Sequence, residues 1–272
     1  MGTWEALTLG IVQGLTEFLP VSSSGHLVVV QALLGFREPV LFFDVMVHLA
    51  TLGSLAVVFR ADLAWLWRSI RPAPFGKTSN LNPAKRVEGR RFVLLLFVAM
   101  IPTVVIGLLF LQPLERLFAK PAGVGAMLMV TGLLLWATRW LQPGRRGMEA
   151  MGWSDALLIG VVQGCALVPG ISRTGATIAV ALFLGLEREL AARYSLLLGI
   201  PAIGGAVMLG VFKGGLSATG LGPILIAMIV AFAMGYVALK IVLRTVVAGR
   251  LSAFAPYCWL VGFLILIAAV VA

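Results

Sequence analysis

Three ionisable side chains stand where an apolar chain should hold none. Glu17 and His26 flank the run Leu19-Pro20-Val21-Ser22-Ser23-Ser24-Gly25, and Arg173 lies within Pro169-Gly170-Ile171-Ser172-Arg173-Thr174-Gly175. Both runs interrupt long hydrophobic stretches. An ionisable group at membrane depth costs about 2.5–3.5 kcal/mol on insertion scales, so such residues are rare without a task. The structural alternative is a buried ion pair that plugs the two stretches together. A carboxylate, a hydroxyl and an imidazole close in sequence permit nucleophilic or water-mediated attack on phosphorus. Ser23 and His26 sit three apart around one turn, so their side chains are expected to meet, with His26 taking the serine proton. Gln13 and Glu17 are spaced i,i+4 and share a helix face. Glu17 is then placed to orient His26, to hold an attacking water or to ligate a divalent ion.

The turns themselves favour anions. Pro20 and the serines after it end one helix, and the next is expected to begin near Ser24–His26. A helix N-terminus presents unpaired N–H groups and the positive end of its dipole. Ser22, Ser23, Ser24 and Gly25 from one turn, with Ser172, Arg173, Thr174 and Gly175 from the other, would surround a phosphate. Arg173 adds a planar fork suited to phosphate oxygens. Plain N-capping by serine explains any one hydroxyl, but a cap needs only one and here three stand in a row.

The elements that must position these residues are dictated by composition. Of 272 residues 60% are hydrophobic and only 12% charged, against about 25% charged in a soluble domain. Mean hydropathy is +1.04, so lipid is the solvent and the architecture is all-α, since a lone span must satisfy its own backbone. The formal charge of +10 could suggest nucleic acid. The basic residues are instead confined to short stretches between apolar runs, which argues against it. Two cysteines, Cys165 and Cys258, exclude a disulfide framework and a four-thiolate metal site. The opening residues show no basic leader, and Ala6 breaks the myristoylation pattern.

Six runs are expected to cross the membrane: Val40–Phe59, Phe92–Leu111, Ala122–Leu141, Tyr194–Phe212, Leu221–Leu239 and Phe254–Ala272. Each matches a hydrocarbon core of about 30 Å. Trp4–Gly35 and Trp153–Gly185 are too long for one crossing, too short for two, and broken at their centres. They are expected to form re-entrant helical hairpins, tolerated only where backbone lines a cavity or is buried in protein.

A shift of 150 aligns Glu5–Gly35 with Asp155–Gly185 without a gap, and 11 of the 31 positions are identical. Gly10/Gly160, Gln13/Gln163, Gly14/Gly164, Ser22/Ser172 and Gly25/Gly175 are among them. Each hairpin precedes three spans, so the chain reads as one membrane domain built from two repeats, 1–141 and 153–272. An odd number of crossings per repeat inserts the second copy upside down, an inverted-topology plan whose broken helices mark a midplane site. The copies have divided labour: Ser23 aligns with Arg173, Glu17 with Leu167, and His26 with Ala176. Sixteen of the 21 basic residues fall on the side of 60–91, 139–153, 187–193 and 240–252. That side is expected in the cytoplasm, with Ala61–Arg91 as its main loop and both termini outside.

The two motifs resemble the bacitracin-resistance type of undecaprenyl-diphosphate phosphatase. Gln13 to His26 is similar to that family's first signature and Pro169 to Thr177 to its second. The likeness in length and layout covers essentially the whole chain. Gln13 departs from the glutamate of many members, and Thr174 keeps the hydroxyl of the serine it replaces. The resemblance implies hydrolysis of a C55 isoprenoid diphosphate on the outer side of the bacterial cytoplasmic membrane. It carries over Glu17 as the essential carboxylate, Ser23 and His26 as nucleophile and base candidates, and Arg173 as phosphate ligand. Ser172 and Thr177 follow as supporting hydroxyls, and a divalent ion (Mg or Ca) as a requirement. A homodimer is left open.

Two other classes fit parts of the pattern. A transporter or flippase of the same lipid carrier would share the inverted repeats but needs no nucleophile. A small-ion channel would conduct without turnover.

Overall fold

The computed structural model describes residues 1–36, 41–71, 82–110, 121–213 and 220–271. Eleven α-helices run through them. They are α1 (Thr3–Phe18), α2 (Ser23–Leu33), α3 (Leu41–Val58), α4 (Arg60–Ile70), α5 (Pro83–Leu109), α6 (Pro121–Ala137), α7 (Trp153–Cys165), α8 (Arg173–Phe183), α9 (Arg188–Lys213), α10 (Leu221–Val247) and α11 (Ala255–Val271). Among the described residues the only β pairing is an isolated bridge between Arg146 and Leu186.

Among the described residues five helices are long and apolar enough to cross a membrane: α5, α6 with its 3-10 extension, α9, α10 and α11. The pair α3–α4 bends by 77° and brings the number to six if it is one span. The chain is therefore a multi-pass α-helical membrane protein. Leu111, Val40 and Ala272, expected at span ends, lie outside the described residues. So do Arg37, Lys77, Arg116 and Lys120 of the basic-residue assignment.

The helices of the two interrupted stretches are short. α1 has 16 residues, α7 has 13, and α2 and α8 have 11 each. At 1.5 Å per residue the longest reaches roughly 24 Å, below the ~30 Å core. Each break falls where the sequence places it. Pro20 cannot continue α1, and Gly170 adopts φ +95° in the second turn. A Cβ on Gly170 would lie 2.4 Å from the Val124 carbonyl, so both conformation and space require glycine.

Packing pairs α1 with α10 and α7 with α5, while α6 lies along α11 and α3 along α9. Small residues make these contacts possible. A Cβ on Gly10 would stand 2.7 Å from the Ala227 carbonyl of α10, and one on Gly160 2.0 Å from the Ala99 carbonyl of α5. Gly125 and Gly262 are reciprocal, each 2.8 Å by the same construction from the other's carbonyl.

The stretch Ala61–Arg91, expected as a loop, is corrected on both flanks. Arg60–Ile70 and Pro83 onward are helical, and 72–81 lies outside the described residues. α4 buries Leu66 and Ser69 on one face and leaves Trp67 and Ile70 exposed on the other. It docks on α5, where a Cβ on Gly89 would overlap Ser69 and Arg90 Nε donates to the Ser69 carbonyl. Pro83 opens α5 behind an Asn82 cap. Density of base had masked this helical pattern.

Candidate active site

The two turns meet tip to tip. A Cβ on Gly25 would approach Gly170 to 3.3 Å, and one on Gly175 would approach Pro20 to 2.9 Å. Across this contact Gly170 N donates to Ser22 Oγ (3.1 Å). Ser22 and Ser172 are the N-caps of α2 and α8, accepting from Gly25 N (3.4 Å) and Gly175 N (3.1 Å). Ser22 holds φ +67°, the one non-glycine in the left-handed region among the described residues. Thr131 braces the second turn, donating to the Gly170 carbonyl and accepting from Ser172 N.

Glu17 is the centre of the resulting cluster. Its side chain is 5% exposed. Arg173 Nη2 donates to Oε1 (2.8 Å), while Ser23 Oγ (2.6 Å) and Gln13 Nε2 (3.0 Å) donate to Oε2. Thr174 Oγ1 donates to the Glu17 carbonyl (3.4 Å), and Arg173 Nη1 to that of Gly199 (3.3 Å) in α9. The Gln13–Glu17 contact is the i,i+4 neighbour relation of a helix face. Gln13 Oε1 is buried and meets no partner among the described residues.

Ser23 and His26 do not pair as expected. The Ser23 hydroxyl bonds Glu17, and both nitrogens of His26 are engaged elsewhere: Nδ1 with the Ser22 carbonyl (2.8 Å) and Nε2 with Tyr257 Oη (2.8 Å). The reason is geometric. A ring that turns back onto the carbonyl four residues earlier points along its own helix, away from position 23. The hydrogen-bond acceptor beside Ser23 is the Glu17 carboxylate. Ser172 and Thr177 serve α8 itself, the first as cap and the second by donating to the Arg173 carbonyl (2.9 Å). Ser24 faces Ser22, with 3.4 Å between hydroxyl oxygens.

Three residues went unmentioned in the sequence reading. His48 Nε2 stands 3.6 Å from Glu17 Oε2, and its Nδ1 is 2.7 Å from the Asp44 carbonyl. Asp44 accepts from Gln31 Nε2 (2.8 Å). The same test that singled out Glu17, an ionisable group inside an apolar run, would have found Asp44 and His48. Tyr257, 231 positions from His26, carried no such signal.

A carboxylate, a hydroxyl and a guanidinium sharing hydrogen bonds between two broken helices define a polytopic membrane protein with a buried, anion-compatible site. The family comparison is more specific: the model described as Bacitracin resistance protein BacA matches residues 6–264, and the chain belongs to that family. It is similar to the undecaprenyl-diphosphatase of Desulforapulum autotrophicum, 46% identical over 278 residues that span 100% of both chains. A second undecaprenyl-diphosphatase, from Desulfosudis oleivorans, is 47% identical over 266 residues, 95% of each chain. A more distant one from Methanosphaera stadtmanae retains 38% identity over 271 residues, 98% of each.

Proposed function

We propose that this chain hydrolyses undecaprenyl diphosphate to undecaprenyl phosphate and inorganic phosphate, recycling the lipid carrier of cell-wall synthesis and conferring bacitracin resistance. The observation that carries this is the 2.6 Å hydrogen bond from Ser23 to a carboxylate whose other oxygen is held by Arg173. Full-length similarity to three proteins named for that reaction supports the substrate.

The geometry suggests the order of events. Ser23 Oγ attacks the terminal phosphorus while its proton passes to Glu17 Oε2. The bond from that phosphorus to the bridging oxygen breaks, and undecaprenyl phosphate leaves with the oxygen. Water then attacks the phosphoserine. Glu17 returns its proton to Ser23 Oγ as the P–Oγ bond breaks, and both hydrogens of the water depart with phosphate. Arg173, still carrying unused N–H donors, offsets charge on the phosphate oxygens. His26 shapes the turn that presents Ser23.

A divalent ion (Mg or Ca) belongs to this reading. Among the described residues no three His, Cys, Asp or Glu side chains form a ligand set. Magnesium, however, is commonly held by one or two carboxylates together with substrate phosphates. Gln13 Oε1, which meets no partner among the described residues, offers one such oxygen, and Glu17 Oε1 would offer a second once Arg173 turns from it to the diphosphate, so the donor set fits an ion arriving with the substrate. Such an ion would neutralise charge on the phosphate oxygens.

We further infer two inverted repeats, with α1–α2 and α7–α8 as re-entrant hairpins and α3, α5, α6, α9, α10 and α11 as six spans. The exchanged partners α1–α10 and α7–α5, and their matching glycines, support it. The distribution of base supports both termini outside and a site open to the outer side of the bacterial cytoplasmic membrane.

The test is phosphate release from a C55 or C15 diphosphate by purified protein in detergent, for wild type and Arg173→Ala, with and without chelator. Detergent abolishes transport and leaves chemistry. Release by wild type and its loss in the variant are expected. No release by wild type would leave a transporter or flippase as the better reading.

A further inference from the structure

His26 carries a contact that the mechanism above does not use. A backbone carbonyl only accepts, so the 2.8 Å approach of Nδ1 to Ser22 O fixes the ring hydrogen on Nδ1. In the neutral ring Nε2 then bears the lone pair and accepts from the Tyr257 hydroxyl at 2.8 Å. The two ring planes are parallel to within 7°, with centroids 5.7 Å apart. Tyr257 stands in the first turn of α11, in the half of the chain opposite α2. Its neighbour Cys258 directs its thiol at the Pro20 carbonyl (3.6 Å). One helical turn of α11 thus touches both Pro20, before Ser22–Ser23, and His26, after them.

We propose that Tyr257 is a positioning residue of the active site: its hydroxyl fixes the direction of the His26 ring, and through it the turn that presents Ser23. The imidazole is tied at Nδ1 to Ser22 and at Nε2 to Tyr257, so the Ser22–His26 segment is braced from outside its own hairpin. Ser22 needs such a brace, since it holds a left-handed backbone that residues with a side chain rarely adopt. The phenol is 44% exposed and its ring makes no demand on the core, so the hydroxyl can be removed without opening a cavity. This inference rests on the proposed phosphatase reading.

The experiment is a double-mutant cycle on phosphate release in detergent, using wild type, Tyr257→Phe, His26→Ala and the double variant. Tyr257→Phe should lower kcat about fivefold with KM little changed, the scale of one hydrogen bond. In the His26→Ala background the same change should cause no further loss. An equal loss in both backgrounds, or none in either, overturns the proposal. A second readout does not need activity. The chain has two histidines, so ¹⁵N ring signals can be assigned with His26→Ala. Wild type should show His26 protonated on Nδ1, and Tyr257→Phe should shift its Nε2 signal. An unchanged Nε2 signal overturns the contact itself. Failure of wild type to release phosphate would instead sink the phosphatase reading and leave the ¹⁵N result standing.

Discussion

Replacing Glu17 with glutamine separates the proton-accepting role of this carboxylate from its shape. Oε2 receives the Ser23 hydroxyl at 2.6 Å and Gln13 Nε2 at 3.0 Å, while Oε1 receives Arg173 at 2.8 Å. Glutamine keeps the volume and one acceptor oxygen but removes the negative charge and nearly all basicity. General-base assistance is worth about 10²–10⁴-fold, so kcat should fall at least about 100-fold, near 2.7 kcal/mol of transition-state stabilisation. Stability should fall as well, because removing one partner of a buried pair costs about 3–5 kcal/mol. The lower end applies here, since Arg173 is 18% exposed and keeps the Gly199 carbonyl. Phosphate release from a C15 diphosphate at saturating substrate, beside a thermal midpoint in the same detergent, measures both. Glu17→Gln retaining more than a tenth of wild-type kcat would refute the carboxylate as proton acceptor, whatever its thermal midpoint.

Four further outcomes follow from the same geometry. Ser23→Ala should be at least as damaging as Glu17→Gln if Ser23 is the nucleophile, and a loss of kcat under tenfold, about 1.4 kcal/mol, would exclude the covalent route. Arg173→Lys should be badly impaired because a point charge cannot both hold Glu17 and fork onto phosphate; near-normal turnover would leave Arg173 a general electrostatic role. Gly160→Ala places a Cβ 2.0 Å from the Ala99 carbonyl and should lower the thermal midpoint clearly, on the scale of about 1–3 kcal/mol for overpacking, whereas Gly123→Ala meets nothing within 4 Å and should not. With Cys165 and Cys258 first changed to serine, a cysteine at position 80 should resist an impermeant reagent applied from outside and one appended at the C-terminus should react; the reverse pattern overturns the orientation.

The broken helices were legible because their signal is local. Pro20, Gly170 and the serine caps interrupt helix wherever they stand, and the turns form at the marked positions. The Gln13–Glu17 contact was legible for the same reason, being fixed by helical repeat alone. Direction around a helix start was not. Ser23 and His26 are near neighbours, yet their side chains diverge because the Ser22 carbonyl and Tyr257 claim the imidazole. The Tyr257 contact joins segments 231 positions apart, and nothing in either motif encodes it. α4 was hidden by its basic residues, since a helix at a membrane face and a basic loop share a composition. His48 and Asp44 were readable in principle, but the run Val40–Phe59 is apolar enough on average to pass as a plain span.

The duplicated reading also accounts for what the second turn lacks. Positions equivalent by the shift of 150 would, in a symmetric molecule, face a second carboxylate toward the first. Two like charges in a buried site repel each other, so a symmetric pair would push the two turns apart. The chain instead has Leu167 opposite Glu17 and Arg173 opposite Ser23. Leu167 turns toward α5, where its Cδ1 would lie 3.2 Å from a Cβ on Gly107. Arg173 reaches this carboxylate, itself 5% exposed, through a 2.8 Å bond from the opposite half. Neither half holds both Glu17 and its counter-ion. The tip-to-tip contact of Gly25 with Gly170 and of Gly175 with Pro20 therefore does more than pack the turns: it sets the distance at which Arg173 reaches Glu17, and bulk at either glycine should separate the pair before it unfolds the helices.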